Sequence, residues 1–264
     1  MASVEFSEVV KVYLTAQGTG FLALDSVSFG VPDAGFTSLL GPSGCGKSTC
    51  LRLAAGLSSP TSGSIRVGDQ PVEGPQTGFG MVFQSDVLLD WRSTLRNVLL
   101  PTEASGFDAS NAEAEAMELL DSVGLAGFET SRPHELSGGM RQRVAICRAL
   151  ITHPQLLLMD EPFGAVDAIT RDQLALDLQR LWETRKTTVL FVTHSIAEAV
   201  FLSDDVIVMA SRPGRIEAIV HIDLPRPRTL STRELPEFSQ YVRDIRQVLE
   251  RSGTLRDYQA AVGA

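Results

Sequence analysis

The sequence has little cysteine. Cys45, Cys50 and Cys147 are an odd number among 264 residues, and none sits in a CxxC pair. That disfavours a disulfide scaffold or a thiolate zinc site and fits a reducing compartment. Long apolar runs are missing as well. No stretch approaches the ~18–20 residues a membrane helix needs. The opening MASVEFSEVV carries acids where a signal peptide would be basic and then apolar. Positive charge is in deficit, 23 Lys and Arg against 32 Asp and Glu, for a net charge of −9. A broad nucleic-acid surface or an anionic-lipid face is therefore disfavoured, while a local basic pocket for phosphates stays open. What is present, 44% hydrophobic and 21% charged residues, is the balance of a globular protein. The length suits one or two domains with a buried core, and these traits together predict a soluble cytoplasmic protein.

Short stretches of alternating polarity open the chain: Val4 and Phe6, Val10 and Val12, then Leu24, Val27 and Phe29. Turn-rich QGTG and PDAG divide them, which predicts antiparallel strands. An apolar run, FTSLLG (36–41), leads through a glycine-rich loop into a helix over 47–57, and GSIRVG (63–68) and GFGMVFQ (78–84) read as further strands. Helix formers dominate 110–123, where Met117, Leu120 and Val123 share a helical spacing. A second helix is predicted from Ser137 to Ile151. Three apolar runs without alternation follow, LLLMD (156–160), TVLFVTH (188–194) and VIVMA (206–210), spaced by helical segments. That pattern predicts parallel strands buried on both faces. The order is an α/β core (1–84 and 155–225) interrupted by a helical region (about 85–154). PRPR (225–228) reads as a linker to a short amphipathic helix carrying Val242, Ile245 and Leu249, within 226–264.

The strongest chemical signal is Gly41-Pro42-Ser43-Gly44-Cys45-Gly46-Lys47-Ser48, which fits G-x-x-x-x-G-K-[S/T] between a strand and a helix, with Thr49 next as a further nucleotide-binding candidate. Glycines let backbone N–H groups converge on phosphate oxygens, and the helix N-terminus adds favourable dipole charge. Lys47 can reach the β- and γ-phosphates, and the Ser48 hydroxyl can ligate Mg²⁺. At the end of a buried strand, Asp160 is placed to hold Mg²⁺ opposite Ser48. Glu161, one residue on, stands where a carboxylate can polarise the attacking water. Ser137-Gly138-Gly139 reads either as another anion-binding helix start or as a plain capped helix.

The order LSGGMRQ (136–142) between the phosphate loop and LLLMDEP (156–162) resembles the nucleotide-binding subunit of an ATP-binding cassette (ABC) transporter, over roughly residues 3–225. The resemblance implies a P-loop NTPase core with a mostly parallel sheet, an N-terminal antiparallel β subdomain and an inserted α-helical subdomain. It implies ATP and Mg²⁺ as ligands, and catalysis by Glu161, His194, Gln84 and Lys47. Ser48, Gln84 and Asp160 would be metal ligands. Two cassettes would close head to tail, with Ser137, Gly138 and Gly139 touching the partner's γ-phosphate and Asp167 linking the two sites. Tyr13 matches the aromatic that stacks on adenine, with Phe21 as rival. Cys45 in the loop is expected to react with thiol reagents when ATP is absent, whereas Cys147 reads as a small core residue.

Two segments, SDVLLDWRSTLRNVLLP (85–101) and SRPGRI (211–216), resemble the nitrate, sulfonate and taurine importer group, with Asp90 where that group has proline. Leu88, Leu89 and Trp91 read either as an apolar dock for a permease helix or as a tether within the helical region. The partners implied are a second cassette, most simply a second copy, an integral membrane permease at the cytoplasmic face and, indirectly, a solute-binding protein, with no nucleic acid. The alternative, a soluble cassette ATPase acting on nucleic acid or ribosomes, is disfavoured by the single cassette, the lack of a heptad stretch and the acidic balance.

Overall fold

Alternation at the start of the chain is realised as two long antiparallel strands, β1 (Val4–Leu14) and β2 (Gly20–Val31), in a computed structural model that describes residues 2–14, 18–104, 111–211 and 213–254. Val4, Phe6 and Val9 point into the core, and Phe6 stacks on Phe29 with ring centroids 4.3 Å apart. The alternation then breaks. β1 carries register shifts between Phe6 and Val9, Val9 and Lys11, and Lys11 and Val12. Bulges of this kind re-aim side chains, so the face of Tyr13 follows from them and not from the Val10/Val12 spacing.

Next come β3 (Phe36–Leu40) and α1 (Lys47–Ala54). β4 (Ser62–Val67) and β5 (Gln70–Pro71) complete an antiparallel sheet ordered β2-β1-β4-β5. After β6 (Phe79–Val82), the helices α2 (Thr94–Val98), α3 (Leu100–Ala104), α4 (Ala112–Ser122) and α5 (Gly138–Leu150) form the helical insertion. β7 (Leu156–Asp160), α6 (Ala168–Arg185), β8 (Thr188–Thr193), α7 (Ile196–Leu202) and β9 (Asp205–Ala210) restore the core. β10 (Arg215–His221) and α8 (Pro236–Arg251) follow. The second sheet is ordered β10-β9-β3-β8-β7-β6 and is parallel except for β10.

The unbroken apolar character of the central strands has a direct cause. Leu39, Leu158, Leu190, Val192 and Ile207 pack on the α1 side, whereas Leu157, Met159, Val189, Phe191 and Val208 pack on the other face, toward α5, α6 and α7. Both faces are covered, so both sets of alternating residues must be apolar. Each such side chain contributes roughly 1.5–3 kcal/mol of transfer free energy.

Three expectations change. In α4 the buried stripe is Ala112, Ala116, Leu119 and Leu120, while Met117 is 48% exposed at its edge. Gln84 does not end a strand: β6 stops at Val82 and Gln84 lies in the loop beyond. PRPR is not a loose linker either, because Arg228 is only 1% exposed. Its guanidinium donates to the carbonyls of Val200, Phe201 and Ser203, capping the C-terminal end of α7, and to those of Ile222 and Leu224 just after β10. Beyond it α8 buries Phe238, Ile245 and Leu249, with Val242 partly covered. Among the described residues, no helix is long and apolar enough to cross a membrane.

Candidate nucleotide site

The phosphate loop connects β3 to α1, whose first residue is Lys47 and whose N-cap, Gly46, has φ 95°. A side chain at Gly46 would be strained by that φ and would also fall 2.4 Å from Leu24 Cδ2. The loop is backed from far along the chain. Gly214, in the turn before β10, donates its N–H to the Ala23 carbonyl at 3.1 Å and accepts from Asp25 N at 3.0 Å. A Cβ at Gly214 would lie 2.3 Å from the Cys45 carbonyl oxygen. Leu24, Gly46 and Gly214 thus form one packed joint beneath the loop.

Lys47 is 4% exposed, and its Nζ donates to the carbonyls of Gly41 and Pro42 at 2.8 and 3.0 Å. Ser48 Oγ donates to Asp160 Oδ1 at 2.9 Å, so a hydroxyl from α1 and a carboxylate from the tip of β7 stand side by side. Burial pushes the Asp160 carboxyl above the ordinary aspartate range and the Glu161 charge adds to this, against the Ser48 hydrogen bond and Lys47. Glu161 sits in the left-handed region at φ 44°, a conformation costing a non-glycine residue about 1 kcal/mol or more. The strained turn is held by Glu161 N donating to the Val192 carbonyl at 3.0 Å. It places Glu161 between Lys47 Nζ, 3.7 Å from Oε1, and His194 Nδ1, 2.9 Å from Oε2.

Ser43, Gly44, Gly46, Lys47, Ser48, Thr49 and Glu161 line one cavity of about 340 Å³, with Tyr13, Phe21 and Ala23 at its aromatic end. Tyr13 and Phe21 are cross-strand partners, so both rings border the mouth, and Lys11 Nζ lies 4.8 Å from the Tyr13 ring centre. Cys45 does not match its expected reactivity. It is fully buried, and burial raises its thiol pKa despite the opposing pull of Lys47, so little thiolate forms.

Gln84 approaches the site from the side: a Cβ at Gly164 would lie 3.7 Å from Gln84 Nε2 and 4.0 Å from Glu161 Cβ. The loop after Gln84 is clamped to α5. Arg148 donates to the carbonyls of Asp86 and Val87, and Arg141 Nε pairs with the Asp86 carboxylate at 2.8 Å. Arg141 lies within LSGGMRQ and Arg148 beyond it, but neither carried an expected role; their spacing of seven, which puts both on one face of α5, was the available signal. Leu88 and Leu89 are half-buried, the Leu89 N–H donating to Asn97 Oδ1 and its carbonyl accepting from Asn97 Nδ2, whereas Trp91 is 73% exposed.

Ser137, Gly138, Gly139 and Asp167 form a second group outside that cavity. Ser137 caps α5 by accepting from Met140 N at 3.3 Å. Asp167 caps α6 by accepting from Ile169 N and Thr170 N at 3.1 and 3.0 Å, and its hydrogen bonding with Thr170 holds its carboxyl below the usual range. Gly139 packs against Thr170, where any side chain would fall 2.2 Å from Cγ2. One chain therefore brings together Lys47, Ser48, Asp160, Glu161 and His194, and presents the other two helix starts elsewhere.

Residues 24–164 match the family described as ABC transporter. The chain is 46% identical over 239 residues to the taurine import ATP-binding protein TauB of Rhizobium johnstonii, covering 89% of this chain and 91% of that one. It is 40% identical over 251 residues to the nitrate import ATP-binding protein NrtD of Synechocystis sp., covering 93% and 94%. A solved dimeric ATP-binding cassette in a post-hydrolysis state, bound to ADP and Pi, superposes with a TM-score of 0.73 at 30% identity, over 84% of this chain and all of that one. A phosphate loop set against a paired acidic turn, in a fold and a sequence shared with these proteins, makes this chain an ATP-binding, ATP-hydrolysing member of the ABC transporter family.

Proposed function

We propose that this chain is the ATPase subunit of an importer and couples ATP hydrolysis to uptake of a small anionic solute, of the nitrate, sulfonate or taurine kind, through a separate membrane permease. The observation that carries the catalytic part is the placement of Glu161 between Lys47 and His194 at the end of β7. The names of the import relatives support the transport part.

ATP is the substrate. Its phosphates bind the backbone of residues 41–46, Lys47 and Thr49, and its base rests on Tyr13 or Phe21. The hard oxygen pair of Ser48 and Asp160 suits Mg²⁺, with Gln84 as a further ligand. When bound, the cation neutralises charge on the phosphates. Glu161 orients the attacking water and takes its proton, and His194 holds Glu161 through the hydrogen bond at 2.9 Å. Ser137, Gly138, Gly139 and Asp167 serve the site of a second copy, which accounts for a second set of helix starts outside the first cavity. The core (1–84 and 155–225) binds nucleotide, the helical subdomain (85–154) meets the permease, and 226–264 folds back as a tail. The chain works at the cytoplasmic face of the membrane, fed indirectly by a solute-binding protein, without nucleic acid.

Glu161→Gln tests this directly. It should retain ATP binding, lose turnover by a factor of about 100 or more and accumulate ATP-bound dimer on a sizing column. Turnover at the wild-type rate would remove Glu161 from its role. Affinity purification from detergent-solubilised membranes tests the transport part: a polytopic membrane protein should co-purify in stoichiometric amount, and recovery with ribosomes or nucleic acid would point to a soluble machine.

A further inference from the structure

Behind His194 lies a buried acid that this chemistry leaves unused. Glu198, on the first turn of α7, is 6% exposed, and burial raises its carboxyl pKa above the ordinary glutamate range. A glutamate three residues after a serine N-cap ordinarily turns back to the N-cap N–H. Here the Ser195 N–H is already taken, donating to Thr193 Oγ1 at 3.0 Å. The Thr193 hydroxyl in turn donates to Glu198 Oε2 at 2.6 Å, and Glu198 N donates to Ser195 Oγ at 3.3 Å. These three bonds enclose residues 193–195, the turn that carries His194.

The imidazole needs such a support. The His194 side chain is 56% exposed, and among the described residues its hydrogen-bond partner is Glu161. Its aim is therefore set mainly by the backbone beneath it. The other carboxylate oxygen of Glu198 faces Arg171 Nε on α6 at 3.5 Å. Arg171 Nη2 donates to the Val166 carbonyl at 3.2 Å, one residue before Asp167. A continuous chain thus runs from the Asp167 loop through Arg171, Glu198 and Thr193 to the His194 turn. A buried carboxylate is expensive to keep, and an apolar residue of similar volume would serve packing at less cost.

We propose that Glu198 is a positioning residue for ATP hydrolysis: it fixes the 193–195 turn so that His194 meets Glu161, and through Arg171 it ties that turn to the Asp167 loop. The inference rests on the roles given above to Glu161 and His194. Misplacement of a catalytic group by about 1 Å costs up to about 100-fold in rate. Glu198→Ala should therefore lower kcat by about 10- to 100-fold while KM for ATP stays nearly unchanged. Glu198→Gln, which still accepts from Thr193, should recover part of the loss.

The test pairs these kinetics with NMR of the imidazole ¹⁵N signals in the full chain. In Glu198→Ala the His194 signals should move toward those of a free imidazole, while His134, His153 and His221 keep theirs as internal controls. Should that variant fail to fold, Thr193→Val removes the same link with near-equal volume and is read in the same way. Wild-type kcat, or unchanged His194 signals, overturns the proposal. His194→Ala turning over at the wild-type rate removes the reading beneath it. An impaired His194→Ala beside undisturbed His194 signals in Glu198→Ala overturns the positioning role alone.

Discussion

Burial raises the Asp160 carboxyl pKa, with the Glu161 charge adding to it, and this has a consequence for stability. A carboxyl whose folded pKa lies above its unfolded value binds its proton more tightly in the folded state. Stability therefore falls as pH rises from the unfolded pKa through the folded one, and above both the ionised group is a net cost. Asp160→Asn keeps an oxygen to accept from Ser48 and removes that cost. We expect it to melt at a higher temperature than wild type at pH 7 without nucleotide, to lose the gap at acid pH, and to lose Mg²⁺-dependent hydrolysis. A lower Tm at pH 7 would show that the carboxylate stabilises the free protein. The aromatic pair makes a second prediction. Stacking on a base is worth ~1–3 kcal/mol, or about 5- to 150-fold in Kd. Whichever of Tyr13→Ala and Phe21→Ala removes the stacking ring should weaken a fluorescent ATP analogue by that factor, and no change in either would dismiss both rings. Only the resemblance reached Tyr13 in the sequence, since the bulges in β1 break the alternation from which a side-chain face could be read.

At the scale of elements, the parallel strands were legible because a strand covered on both faces has no polar face to alternate with. Helices α1 and α5 were legible from their starting residues, a glycine loop and a serine cap. The path after β10 was not. Prolines and arginines at 225–228 report backbone stiffness and charge, and neither property says that three carbonyls at the end of α7 and two just after β10 wait for a donor. Burial lowers the Arg228 pKa to about 10, yet the hydrogen bonds keep the cation in place. Arg228→Ala leaves those carbonyls without a donor and a cavity beside Ser203. We expect a loss of about 3 kcal/mol, read as a Tm lower by roughly 6–12 °C, because α8 also docks on α7. A shift below about 2 °C would show that water replaces the guanidinium. Arg185, which donates to Glu115 on α4 and to the Leu150 carbonyl at the end of α5, is a similar clip between insertion and core that no sequence pattern announced.

For the whole molecule, the order of motifs along the chain was legible, and it carried the site: Lys47, Ser48, Asp160, Glu161 and His194 do converge. What holds the loop from behind was not legible, because a glycine 168 residues after Gly46 has no local signature. That joint governs the order of events during synthesis. β3, the strand that carries the phosphate loop, pairs with β8 and β9, and Gly214 completes the joint behind the loop, so both sheet partners and one part of that joint are made late. Contacts this distant in sequence form only after their loops close. A chain still on the ribosome therefore has its nucleotide motif in hand long before it has a nucleotide site, and ATP cannot steady the nascent core. A fragment ending at residue 164 should fail to bind an ATP analogue that the fragment 1–254 binds, and binding by the shorter piece would show that the loop shapes itself. Until the segment before β10 emerges, the first half of this protein draws no stability from its own ligand.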